Sequence, residues 1–267
     1  MQNFKHYLTC AKKDAPFQID DSWAQGRSVF GGLSAAMLLT HVEENTEFSD
    51  RDLRSINIQF CAALVTEEDV HLDFEILASG KSITHIQAKL RQSGKIKTII
   101  NCCFANERPS NILVNPPTIT AEDINNAQKF PFIKGIMPNF IQHIDMRMNS
   151  KNMPFSGSQP QTIKGWVSFE NHEDPLCDSA IIALIDAWPP ATLSLLNSPA
   201  PSSSVTWNIE FIHPRKKLPC GEMLYYECDL IQAAVGLAHT EARIYSSSGS
   251  LLALSRQVVA TYDKKNN

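Results

Sequence analysis

Apolar residues along the chain fall into two rhythms, and the pair of rhythms occurs twice. From Phe30 to about Glu44, and again from Asp178 to about Trp188, apolar residues occupy nearly every side of a helical wheel. That pattern predicts two helices buried on all faces. Each is followed by segments rich in β-branched residues and bounded by Gly or Ser, which predicts strands. In the second half these cover 223–232, 238–245 and 251–262, broken at 233–237 and at Ser246-Ser-Ser-Gly249. In the first half they cover 70–78, 83–91 and 96–105. One helix and several antiparallel strands, taken twice, make an α+β protein in which a curved sheet wraps a central helix.

The halves also match residue by residue. Ser55-Ile-Asn-Ile-Gln-Phe60 corresponds to Thr206-Trp-Asn-Ile-Glu-Phe211, His85 to His239, Ala88 to Ala242 and Gly94 to Gly249, at an offset that drifts only from 151 to 155. This is the signature of an internal duplication. Two domains are expected, 1–110 and 138–267, joined by a connector over 111–137 that is rich in Pro and Asn. Pro116-Pro117 opens the connector, where a short helix is expected with Thr120 as N-cap and Asp123 three residues on.

Charge removes one class of partner. Lys and Arg total 24 against 28 Asp and Glu, a net charge of −4, whereas nucleic-acid binders normally carry a basic excess. No segment approaches the ~20 apolar residues of a membrane helix. The start of the chain, MQNFKHYLTCAKK, lacks the apolar core of a signal peptide, so a cytoplasmic location is expected. The seven cysteines are odd in number, contain no CxxC and sit mostly in apolar runs, which reads as reduced, buried thiols. Cys102 and Cys103 are neighbours on a strand and would face opposite ways, so they read as core residues and not as a ligand pair.

Asp186 is the most informative polar residue. It is the only charged side chain between Ser179 and Ile209, in the run Ser-Ala-Ile-Ile-Ala-Leu-Ile-Asp-Ala-Trp-Pro-Pro. A carboxylate in such a helix must be paired, hydrogen-bonded or shifted in pKa. It is either a general base or an anchor for a neighbouring loop. Phe30-Gly-Gly-Leu offers the free amides of a helix's first turn at Gly31 and Gly32, able to hold an oxyanion or simply to permit tight packing. Gln257 is a polar residue in a half-buried strand, on a face that periodicity leaves open. Ser202-Ser-Ser204 and Thr206 begin another strand and could supply a hydroxyl.

Other motifs fail. Ser79-Gly-Lys-Ser82 lacks the first glycine of a phosphate loop, and Gly32-Leu-Ser-Ala35 lacks the strand that a nucleophile elbow requires. His143 with Asp145, and His172 with Asp174, lack metal-ligand spacing.

Taken in order, Ser28-Val-Phe-Gly-Gly32, Phe74-Glu-Ile-Leu-Ala-Ser-Gly-Lys-Ser82, the Asp186 helix, Phe211-Ile-His-Pro214 and Gly249-Ser-Leu-Leu-Ala-Leu-Ser-Arg-Gln257 resemble the acyl-CoA thioesterase II-like family of two fused hot-dog folds. The resemblance spans nearly the whole chain. It implies an acyl-CoA substrate, hydrolysis to free acid and CoA, and no metal or cofactor. It implies a catalytic set that falls on Asp186, Ser204 and Gln257, with Thr206 in reserve for Ser204 because the serine run blurs the alignment. It also implies that the amides of Gly31 and Gly32 bind the thioester oxygen. The CoA phosphates would meet some of Arg27, Lys81, Arg243 and Arg256, and association into homo-oligomers is compatible with the family. Position for position, Asp186 corresponds to about Leu39 and Gln257 to about Cys102, so one working site per chain is expected. The rival readings are a non-hydrolytic acyl-CoA-binding protein and, further off, a hydratase, which would need a His to pair with Asp186.

Overall fold

A computed structural model describes residues 1–46, 50–148, 153–158, 162–171, 174–215 and 217–263. In chain order the helices and strands are α1 (Phe4–Ala11), β1 (Ala24–Gln25), β2 (Ser28–Val29), α2 (Gly31–Glu44), β3 (Asp52–Phe60), β4 (Val70–Ser79), β5 (Ile83–Gln92), β6 (Lys95–Ala105) and β7 (Gln128–Lys129). They continue with β8 (Ile144–Met148), β9 (Thr162–Phe169), α3 (Asp178–Asp186), β10 (Ser202–Phe211), β11 (Leu224–Ala234), β12 (Leu237–Tyr245) and β13 (Leu251–Thr261). The six strands expected after the two helices all form, within two residues of the expected ends. Their long β-branched runs leave no competing helical pattern.

Among the described residues, eleven strands form one sheet in the order β4-β5-β6-β3-β10-β13-β12-β11-β9-β8-β7. The halves meet at β3 and β10, with Asn57 opposite Asn208. Read outward from that seam, β3-β6-β5-β4 mirrors β10-β13-β12-β11. The register agrees too: Ile56 pairs with Cys102 on one side, and Trp207 with Gln257 on the other. Each half is thus a hot-dog unit, a sheet wrapped around its own helix, and the duplication read from sequence is a structural one.

Both long helices are sealed inside. Every α2 residue from Gly32 to Val42 is buried, as is every α3 residue from Ser179 to Ile185. Burial of large apolar side chains such as Leu33, Met37, Ile181 and Leu184 stabilises by ~1.5–3 kcal/mol each. The helices pack on each other through small residues. A Cβ on Gly32 would come within 3.0 Å of the Ala183 Cα, and at the other end Thr40 and Ser179 share a buried hydroxyl contact of 2.9 Å.

Two expectations are corrected, and one helix is added. The connector has no helix starting at Thr120. Ile119 is held extended by its N–H to Gly249 O; beyond it come a single 3-10 turn, Ile124–Asn126, capped by Asp123, and a turn closed by the Met137 N–H donating to Ile133 O. This segment lies on the outer face of the second half, where Glu122 O accepts from the Trp166 indole at 3.1 Å. The cysteines are all free, but only Cys102 and Cys228 are buried; Cys61, Cys177 and Cys220 are exposed because they sit in loops and at a helix cap. Helix α1 was not anticipated, although Asn3 as N-cap with Phe4, Tyr7, Leu8 and Ala11 is a helical signature in the sequence.

Among the described residues no helix is long and apolar enough to cross a membrane.

Candidate active site

The two helices cross so that the start of α2 meets the end of α3. Gly31 makes that approach feasible: a Cβ there would lie 2.9 Å from Asp186 Oδ2 and 3.0 Å from the Phe60 ring. The first N–H groups of a helix have no intrahelical acceptor, and the Gly32 amide hydrogen-bonds the Asp186 carboxylate.

The sheet brings the other two groups. Gln257 lies on β13 opposite Trp207, whose indole is buried, so the register puts Gln257 on the inner face. Its Nε2 donates to Asp186 Oδ1 at 3.1 Å and to Ser204 Oγ at 2.7 Å. Both amide hydrogens are then engaged. The Ser204 hydroxyl, accepting from Gln257, keeps its own hydrogen for another acceptor, and Gln257 Oε1 remains an acceptor.

Simple alternation would turn Ser204 outward, since it is three residues before Trp207. A β-bulge between Ser204 and Thr206 inserts one residue and returns Ser204 to the inner face. Thr206, adjacent to the buried Trp207, faces the opposite side. It lines an outer groove of about 350 Å³ together with Asn57, Asn208, His239 and Arg256. Asp186, Ser204, Gln257 and the start of α2 therefore come together, and Thr206 does not.

Asp186 keeps some solvent access, yet protein surrounds it. Burial pushes its carboxyl up from 3.8 to about 7, against the opposing pull of the Gln257 and Gly32 hydrogen bonds. A carboxyl in that range exchanges protons near neutrality, as a general base requires.

Of the remaining sequence candidates, His143 and Asp145 have structural roles. His143 stacks on Trp23 with centroids 4.1 Å apart and lies 3.0 Å from Ser22 Oγ, while Asp145 pairs with Arg147. His172 lies outside the described residues. Among those described, no group of three or more His, Cys, Asp or Glu side chains could hold a metal ion. Ser79 to Ser82 is the β4–β5 turn. Arg243 and Arg256 pair with Asp229 and Glu241.

Sequence profiles of the acyl-CoA thioesterase N-terminal and C-terminal domains match residues 19–105 and 118–261. The chain belongs to the double hot-dog acyl-CoA thioesterase family. Solved structures agree on the fold. A hot-dog protein of unknown function from Alicyclobacillus acidocaldarius is similar at a TM-score of 0.82 and 19% identity, covering 97% of this chain and 99% of that one. An acyl-CoA thioesterase II from Mycobacterium marinum gives 0.74 and 16%, covering 99% and 100%. A tesB protein from Mycobacterium avium subsp. paratuberculosis gives 0.71 and 14%, covering 96% and 98%. A sequence search of curated proteins gives no match.

A double hot-dog chain has a second place where such a site could lie, at the start of α3. By register Ser204 and Gln257 are replaced there by Leu53 and Cys102, and by position from the helix start Asp186 is replaced by Leu39, all buried. Instead of two glycines, α3 opens with Asp178 and Ser179. Asp178 sits in the first turn and pairs with Arg215. An acidic side chain already occupies the positive end of the helix.

Proposed function

We propose that this protein hydrolyses acyl-CoA thioesters to free acid and CoA at one site per chain, built from Asp186, Ser204, Gln257 and the first turn of α2. Family membership supports thioesterase activity in general. The observation that carries the finer reading is the desolvated Asp186 carboxylate, bonded to the same Gln257 amide that holds Ser204.

Asp186 and Gln257 Oε1 accept from a water, and the Ser204 O–H donates to it. Asp186 takes a proton as the water oxygen bonds to the thioester carbon, and the carbonyl electron pair moves onto oxygen. That oxyanion meets the N–H groups of Gly31 and Gly32 and the positive end of the 14-residue α2. Protonation of Asp186 removes the anionic acceptor of the Gly32 N–H just as the oxyanion offers a new one. Collapse then breaks the C–S bond, and CoA leaves as the thiol with the proton from Asp186. Every step uses groups of this chain, water and the substrate.

Thiol release from short to long acyl-CoAs, with wild type beside Asp186→Asn, tests this reading. Turnover that disappears in the variant supports it. Acyl-CoA binding without turnover in wild type would favour a non-hydrolytic binding protein instead.

A further inference from the structure

Trp188 follows Asp186 by two residues, and its indole Nε1 is a buried donor with no hydrogen-bond partner among the described residues. The residue is only 6% exposed. The other three tryptophans place the contrast in relief. Trp23 Nε1 donates to Gln2 O at 2.9 Å, Trp166 to Glu122 O at 3.1 Å and Trp207 to Ser255 Oγ at 2.8 Å. A buried N–H left unpaired is destabilising, and native proteins leave few of them.

The described surroundings hold the ring firmly but give it no acceptor among them. The indole lies flat on Tyr226, with centroids 4.7 Å apart and planes 7° apart. Its far edge abuts β9 where Gly165 has no side chain, since a Cβ there would come within 2.8 Å of Cη2. Tyr226 stands on the inner face of β11, two strands from Gln257, and its hydroxyl engages Cys228. Burial foremost, and the nearby Asp186 charge among lesser causes, push the Tyr226 phenol well above its ordinary value. The Trp188–Tyr226 stack is thus a buried aromatic pair that begins two residues from Asp186, feels its charge through Tyr226, and carries one fixed donor.

Resting on the hydrolytic reading above, we infer that Trp188 is a specificity-determining residue of the acyl subsite. Its N–H donates to an acceptor oxygen on the acyl chain, so the preferred substrates are hydroxy- or oxo-acyl-CoAs and not plain saturated ones. An indole donates and cannot accept, which matches a keto or hydroxyl oxygen. A site built to bond an oxygen discriminates against the analogue that lacks it, because its own donor is then left unpaired.

The test compares kcat/KM for saturated, 3-hydroxy-, 3-oxo- and ω-hydroxyacyl-CoAs of one chain length, in wild type and Trp188→Phe. The phenyl ring keeps a stack on Tyr226 and removes the N–H together with some ring volume, so the readout is the ratio between oxygenated and saturated chains. Wild type is expected to favour at least one oxygenated chain, and the variant to lower the ratio of oxygenated to saturated kcat/KM by on the order of tenfold. A wild-type preference for saturated chains, or a variant that slows all substrates in proportion, would overturn the assignment. An independent readout needs no variant. With 15N-labelled indoles, the hydroxy-acid product should shift one of four N–H resonances, and the saturated acid should not. Equal shifts with both acids would also overturn it. Hydrolysis without oxygen preference defeats the Trp188 inference alone, whereas absence of any hydrolysis defeats the parent reading.

Discussion

Replacing Asp186 by Asn should slow hydrolysis by orders of magnitude and at the same time make the protein more stable, by an amount that depends on pH. Burial raises the folded-state pKa of this carboxyl from 3.8 to about 7. The native state therefore holds the proton more tightly than the unfolded chain. The folded state is free of the ionisation penalty below about pH 4, and stability is lost as pH rises through about 7. A shift of about three units is worth up to about 4 kcal/mol at pH 8. Asn introduces no charge, but it loses an acceptor for either the Gln257 or the Gly32 N–H, at about 1 kcal/mol. The net gain at pH 8 is then about 2–3 kcal/mol, or roughly 4–10 °C in Tm for a chain of this size. At pH 5 the gain shrinks below about 1 kcal/mol, because the native carboxyl is already protonated. Scanning calorimetry of both proteins at the two pH values measures this directly. A variant whose Tm difference is the same at both, or which is less stable at pH 8, would refute the desolvation argument. Loss of the base should slow hydrolysis by ~10²–10⁴.

Gly31→Ala should lower kcat at least about tenfold with an unchanged circular dichroism spectrum, because its Cβ meets Asp186 Oδ2 and the Phe60 ring. A wild-type rate in that variant would show that the close approach of α2 to Asp186 is unimportant. Isothermal titration with a non-hydrolysable acyl-CoA thioether should give one site per chain; two equal sites would contradict the apolar Leu39, Leu53 and Cys102 set. In the folded protein a thiol reagent should modify Cys61 and Cys220 rapidly, and Cys102 and Cys228 only after denaturation. Fast labelling of Cys102 would contradict its burial between the sheet and α2.

Much of the fold was legible because its elements are long and their periods clean. The apolar runs around Met37 and Ile182 can bury themselves only as helices, and the pairing of His85 with His239 betrayed the duplication. Asp186 stood out for the same reason, as a lone charge in a run with nowhere polar to go. The hydroxyl was harder, because Ser204 faces inward only through the bulge before Thr206, and a bulge leaves no period to read. Gln257 needed the register with Trp207 to settle its face. The connector was misread because Thr120 and Asp123 have a capping pattern, yet the backbone there is spent on pairing with Gly249. Nothing in Asp-Ala-Trp-Pro-Pro distinguishes Trp188 from the other tryptophans. Its missing partner exists only in three dimensions.

The pH dependence of kcat, measured with the best acyl-CoA substrate from pH 5 to 9, bears most directly on Asp186 as the base that deprotonates water. In wild type kcat should rise about tenfold per pH unit below about 7 and level off above it, and in Asp186→Asn the residual rate should lack that inflection. A wild-type profile that is flat through pH 7, or an Asn variant that retains both the rate and the inflection, would contradict it.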